Sequence, residues 1–171
     1  MQILAGRIDP IKAGKLYKAN QTAFFMDTKK WRSFRTKYKL EWDVVPFQAD
    51  KKGSVPTEPG LYAFVVSCDH PKLPMHAYIL YVGQSGHGDS NHNLRKRFAD
   101  YLRYQARGSS RPAVDRMLME FSSDLKFYFA ALPSAKSNLE DIETKLLSAI
   151  IPPVNQVDFE AEVTVARKAA F

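Results

Sequence analysis

The sequence predicts an α/β (α+β) fold, a small three-stranded antiparallel sheet flanked by helices and preceded by a basic, mainly helical N-terminal extension. Three observations carry that expectation. Residues 61–66, 77–82 and 125–132 are short runs rich in aromatic and β-branched residues, as buried strands are. Residues 94–106 and 139–150 repeat their apolar side chains at helical intervals. At 171 residues, 45% of them hydrophobic, the chain is long enough for one conventional core and short for two.

In chain order, residues 1–40 hold ten Lys and Arg against Asp9 and Asp27, a balance of +8, while the rest of the chain balances at −1. The whole net charge of +7 therefore sits in the first quarter. A polyanion such as nucleic acid is the partner this stripe fits, with plain solubility as the alternative. Thr28 is placed to cap a helix over residues 28–39, with Trp31, Phe34, Tyr38 and Arg35 on one side and most lysines on the other. Residues 48–59 are polar and hold two prolines and a glycine, which marks a linker or entry loop. The expected organisation is a basic extension over residues 1–52, a compact domain over 53–158 and a tail over 159–171.

The compact domain opens with a hairpin. Pro59-Gly60 starts the first strand, Asp69-His70-Pro71-Lys72-Leu73-Pro74 forces a loop, and the second strand stops at Gly83. A glycine-rich polar loop runs from Gln84 to Asn93. From Leu94 the recurrence of Leu94, Phe98, Tyr101 and Leu102 predicts a helix to about Ala106. Residues 107–112 end it, and Pro112 starts a short helix over 113–121. After the third strand, Asn138 is placed to cap a helix in which Leu139, Ile142, Leu146, Leu147 and Ile150 share a face until Pro152-Pro153 stops it. Beyond Val157 the pattern supports one short strand or helix.

Some function classes fall away. Cys68 is the single cysteine, so an internal disulfide is excluded, and His70, His76, His87 and His92 stand at no spacing that builds a zinc site. No apolar stretch approaches the roughly 18 residues of a membrane span. The first ten residues lack the charged head and apolar run of a secretory signal. No membrane association and a cytoplasmic (intracellular) location are expected.

Two tyrosines bracketed by glycines stand at facing ends of the hairpin, in Gly60-Leu61-Tyr62 and Tyr81-Val82-Gly83. Downstream, Asn93-Leu94-Arg95-Lys96-Arg97-Phe98 opens a basic helix with Tyr101 one turn beyond Arg97, and Glu143-x-x-Leu146-Leu147 precedes Pro152-x-x-Asn155. Taken singly, these are a pair of packing tyrosines, a solvated arginine, a surface carboxylate and a turn asparagine. Together they resemble the GIY-YIG nuclease family, which includes excision-repair incision nucleases, homing endonucleases and some restriction enzymes. The resemblance covers residues 56–158, roughly 100 of the 171, and its specificity lies in order and spacing. Leu61 and Val82 stand where isoleucine is usual, which conserves volume. The hairpin connection is longer than in most members, the loop after Gly83 looks like an insertion, and Gln84 stands where some members have a lysine.

The resemblance implies divalent-metal-dependent endonucleolytic cleavage of DNA, with Mg²⁺ or Mn²⁺ as cofactor and no organic cofactor. It implies catalytic roles for Tyr62, Tyr81, Arg97, Tyr101, Glu143 and Asn155. The residue types suit phosphodiester hydrolysis. Glu143 can hold a hard divalent ion through one carboxylate, with waters and substrate oxygens completing the shell. Arg97 can make paired charged hydrogen bonds to the scissile phosphate, and Tyr101 supports Arg97 or the phosphate. A free phenol titrates near about 10, so a tyrosine needs positive charge nearby to act as a base. Tyr81 is the first choice for handling the attacking water, with Gly83 leaving room beside it, and Tyr62 the second. Asn155 fixes the end of the domain by hydrogen bonds. Lys29, Lys30, Arg32 and Lys37 in the extension, with Arg95, Lys96 and Arg103 on the helix, are expected to contact the nucleic-acid backbone. A catalytically inactive DNA-binding module of the same fold and an RNA-directed nuclease are the alternatives. Both a monomer that nicks one strand and a homodimer that cuts both remain open.

Overall fold

In the computed structural model, which describes residues 22–67, 70–157 and 159–170, the chain begins with α1 (Thr28–Ser33) and β1 (Asp43–Pro46). A 3₁₀ turn (Ala49–Ser54) leads into β2 (Gly60–Ser67) and β3 (Ala77–Ser85), followed by α2 (Leu94–Arg107) and α3 (Pro112–Glu120). Then come β4 (Leu125–Ala131), a second 3₁₀ turn (Pro133–Asn138), α4 (Leu139–Ile150) and α5 (Ala161–Ala170). Residues 1–21 of the expected extension, and Cys68 with Asp69 in the hairpin loop, lie outside the described residues.

The sheet is antiparallel but has four strands instead of three, in the order β1-β4-β2-β3. The added strand is β1, four residues ending in a proline and paired on the outer side of β4. Proline is tolerated there because an edge strand leaves one row of N–H groups unpaired. So short a run carries almost no alternation, and only its distant pairing with residues 126–129 makes it a strand. Phe47, directly after it, is fully in the core.

Strand alternation sends side chains to two layers. Tyr62 and Phe64 of β2 join Phe127 and Phe129 of β4 beneath α2 and α3, with Phe98, Tyr101, Met117 and Leu118 packed against them. Leu61, Ala63 and Val65 face the other way, against Leu139, Ile142, Leu146 and Leu147 of α4. A bulge interrupts the alternation on β3: Phe64 pairs with Tyr81 and Val65 with Ile79, leaving Leu80 as the extra residue. In consequence Leu80 and Tyr81 both pack on the aromatic side. β3 also runs past Gly83 to Ser85, because β2 continues to offer partners as far as Gly60.

The helix expected over residues 28–39 is cut short. Asp27, not Thr28, caps it, its carboxylate accepting from the N–H groups of Lys29 (3.0 Å) and Lys30 (3.1 Å). Phe34 leaves the helix so that Phe34, Tyr38 and Leu40 pack against the α4 layer, while Trp31 stays 43% exposed. Burying three large side chains outweighs extending a short helix, which is marginal alone. Asn138 makes no cap to α4; its amide donates to the Tyr38 hydroxyl at 2.8 Å and ties the same segment down. No helix among the described residues is long and apolar enough to cross a membrane.

Candidate active site

Gly60 opens β2 and pairs with Ser85 at the close of β3, so residues 60–62 and 83–85 meet at one end of the sheet. Tyr62 pairs with Gly83 and Phe64 with Tyr81, which puts both tyrosines on the aromatic face. A Cβ on Gly83 would collide with the phenol end of Tyr62. The space beside this glycine is therefore filled by the Tyr62 ring and not left for water near Tyr81. Gly60 is required for a different reason: a Cβ there would strike the Ala130 carbonyl of β4.

Tyr101, from the second turn of α2, completes a triangle. Ring centroids are 5.7 Å apart for Tyr62 and Tyr101, 6.2 Å for Tyr62 and Tyr81, and 6.1 Å for Tyr81 and Tyr101. The hydroxyls of Tyr62 and Tyr101 are hydrogen-bonded at 2.9 Å, and these two residues are 2% and 0% exposed. Burial, reinforced by the neighbouring phenols, pushes the Tyr62 hydroxyl well above the ordinary tyrosine range and raises Tyr101 as well. Both keep their protons. The hydroxyl of Tyr101 is thereby engaged with that of Tyr62. Tyr81 is the half-buried member of the three.

Two arginines attend this triangle. Arg97, one turn into α2, has a terminal nitrogen 3.9 Å from the buried carboxylate of Asp100 and a buried Nε with no hydrogen-bond partner. Leaving a buried donor unmade costs about 1–3 kcal/mol, so such an atom marks a place where a ligand acceptor fits. Arg111, which no motif singled out, donates from a terminal nitrogen to the Tyr81 hydroxyl at 3.3 Å. Nothing local in Gly108-Ser109-Ser110-Arg111-Pro112 signals that contact, since thirty residues separate the partners. Further buried atoms without partners occur where the chain leaves β3: Gln84 Oε1, Ser85 Oγ and His87 Nδ1.

Asn155 works on the backbone. Its Oδ1 accepts from the Val82 N–H and its Nδ2 donates to the Val82 carbonyl, both at 2.9 Å, while the Val154 N–H donates to the carbonyl of the bulged Leu80 at 3.0 Å. β3 is an edge strand, so the Asn155 amide takes the place of a neighbouring peptide and clamps the backbone on both sides of Tyr81.

Glu143 is half-buried on α4, within the stripe formed by Leu139, Ile142, Leu146 and Leu147. Those four side chains pack on the other side of the sheet from the tyrosines. The first turn of α4 is nonetheless anchored at the same end, because His87 Nε2 lies 3.4 Å from Glu140 Oε2 and the Gly88 N–H donates to the Lys136 carbonyl. The fold thus gathers Tyr62, Tyr81, Tyr101 and Arg97 in one cluster, and Glu143 stands on α4, whose start is anchored at the same end of the sheet.

The cations expected to meet nucleic acid are dispersed. Arg95 donates to the carbonyls of Val55 (2.6 Å) and Gly53 (3.1 Å), Lys96 to that of Asn91 (2.8 Å), and Arg103 pairs with Asp100. Lys29, Arg32 and Lys37 are exposed, and Lys30 stands 3.8 Å from Glu162, all on the segment that packs over α4. Among the described residues no group of three or more His, Cys, Asp or Glu could hold a metal ion. The chain matches no family model, no curated protein and no solved structure.

Proposed function

We propose that the chain is a divalent-metal-dependent endonuclease of the GIY-YIG type, hydrolysing phosphodiester bonds in DNA. The observation that carries this is the convergence of Tyr62, Tyr81 and Tyr101 with a buried, unpartnered donor of Arg97 at one end of the sheet. An anion with oxygens to spare is what that donor lacks. Phosphate meets the requirement, and the fork of a guanidinium matches it.

The donor set fits a hard ion. Mg²⁺ keeps several waters and takes one or two carboxylates, so a single half-buried Glu143 suits it, or Mn²⁺, better than it suits a metal requiring three or four protein ligands. When bound, such an ion neutralises charge on the phosphate oxygens. The chain's own residues divide the remaining work. Arg97 holds the phosphate in surroundings from which much of the water is excluded, which strengthens the contact. Tyr62 and Tyr101, neutral and mutually bonded, form the wall that keeps Arg97 and Tyr81 in place. Tyr81 orients the attacking water. Asn155 holds the strand beneath it.

Supercoiled plasmid incubated with the purified chain and Mg²⁺ should be nicked or linearised. Glu143→Gln should lose about 10³-fold in rate, equivalent to several kcal/mol of charge stabilisation, while keeping its fold and its DNA affinity. Undiminished cleavage by that variant would overturn the metal assignment. Binding without cleavage by the unaltered chain, in Mg²⁺ and in Mn²⁺, would leave an inactive DNA-binding module.

A further inference from the structure

Arg111 belongs to none of the sequence motifs, yet the fold delivers it to the half-buried hydroxyl of the tyrosine triangle. It stands between α2 and α3, where Gly108 at φ 78° ends one helix and Pro112 opens the next. The junction is tied down by four hydrogen bonds. Ser109 N–H donates to Asp115 Oδ2, Arg111 N–H donates to Ser109 Oγ, and the N–H groups of Val114 and Asp115 both donate to the Arg111 carbonyl, each at 3.0 Å. The guanidinium lies 5.6, 5.5 and 6.0 Å from the ring centroids of Tyr104, Tyr101 and Tyr81. Its backbone and its side chain are thus both fixed, the latter by attraction of a planar cation to three aromatic rings.

The contact with Tyr81 has a directional consequence. A guanidinium has donors only, so the phenol oxygen accepts from Arg111 and the phenol's own proton must turn elsewhere. Gln84, three residues beyond Tyr81, is neutral, and Arg111 of the junction is the cation hydrogen-bonded to the Tyr81 hydroxyl. Resting on the nuclease assignment above, we propose that Arg111 is the positioning residue of Tyr81: it occupies one side of the hydroxyl and aims the other at the attacking water.

Two measurements test this. With tyrosine labelled at Cζ, the resonance lost in Tyr81→Phe identifies Tyr81. Arg111→Gln should move that resonance, and Arg116→Gln, which changes an exposed cation paired with Glu120, should not. In plasmid cleavage, Arg111→Gln should lower kcat roughly 10-fold to 10²-fold with KM changed less than about threefold, and Arg111→Lys should recover part of the loss with the fold intact. In a Tyr81→Phe background the same Arg111→Gln change should cost less than about twofold, because there is no hydroxyl left to aim. An unmoved Tyr81 resonance overturns the contact whatever the activity. A moved resonance with equal losses in both backgrounds overturns positioning through Tyr81. A moved resonance in a chain that cleaves no DNA means that the nuclease assignment has failed while the contact stands, and the catalytic role of Arg111 falls with it.

Discussion

Alternate residues of β2 serve two unlike layers. Toward α2 and α3 stand Tyr62 and Phe64, toward α4 stand Leu61, Ala63 and Val65. Both sides are buried, and on the first the tyrosines carry hydroxyls into the interior, because a phenol fills a core site like phenylalanine and still presents a polar atom. The aliphatic side contributes packing, and α4, which covers it, carries the half-buried Glu143. Depth separates roles within the aromatic side as well. The deep hydroxyls of Tyr62 and Tyr101 satisfy each other, and the half-buried Tyr81 faces an arginine.

The strongest test of this contrast is Arg97→Lys. An ammonium cannot reproduce the fork, so cleavage should fall by about 10²-fold or more. Arg95→Ala, two residues earlier on α2 and in neither cluster, should instead keep most activity and lose roughly 1–2 kcal/mol of stability, since Arg95 holds the loop carbonyls of Val55 and Gly53. Activity assays beside urea melts decide it, and the reverse ranking would mean that the wrong arginine has been chosen.

Next in size is the division between deep and half-buried hydroxyls. Tyr81→Phe should slow turnover by about 10²-fold with little change in melting temperature. Tyr101→Phe should cost about 1–3 kcal/mol of stability, because the Tyr62 hydroxyl is left buried without its partner. Normal cutting by Tyr81→Phe together with a dead Tyr62→Phe would exchange the two roles.

The same burial makes a prediction about pH. Tyr62 and Tyr101 hold their protons in the fold to higher pH than in the unfolded chain, where tyrosine titrates near about 10. Their contribution is fully present below that value and is lost as pH rises from there toward the folded values, by up to about 1.4 kcal/mol per pH unit for each tyrosine. Denaturant melts at pH 9 and 11 measure it, and Tyr62→Phe should reduce the slope by about one proton. A stability independent of alkaline pH would contradict the buried pair.

The smallest expected effect concerns the aliphatic side. Phe34, Tyr38 and Leu40 dock the basic segment there, so its lysines lie over α4 and away from the triangle. Replacing Lys29, Lys30, Arg32 and Lys37 with glutamine leaves that docking intact and removes up to about four phosphate contacts, each worth roughly 0.9 in the slope of log affinity against log salt. Unchanged duplex affinity and salt slope in a fluorescence titration would make the segment a packing element alone.

Periodicity in the sequence was enough for β2, β3, β4, α2, α3 and α4, because each buries a face of its own and local alternation or helical spacing records which face. The candidate tyrosines and Arg97 came from the family resemblance, whose glycine-flanked triplets and helix position are local features of the sequence. Periodicity misjudged the end of α1, since the pull of Phe34 and Tyr38 toward α4 comes from residues a hundred positions away, as the Asn138 to Tyr38 bond shows. Strand β1, the bulge that turns Tyr81 to the aromatic side, the clamp of Asn155 on Val82 and the reach of Arg111 to Tyr81 were decided by tertiary structure. Each depends on backbones brought together from distant parts of the chain, and the spacing of residues along a single segment holds no record of such a meeting.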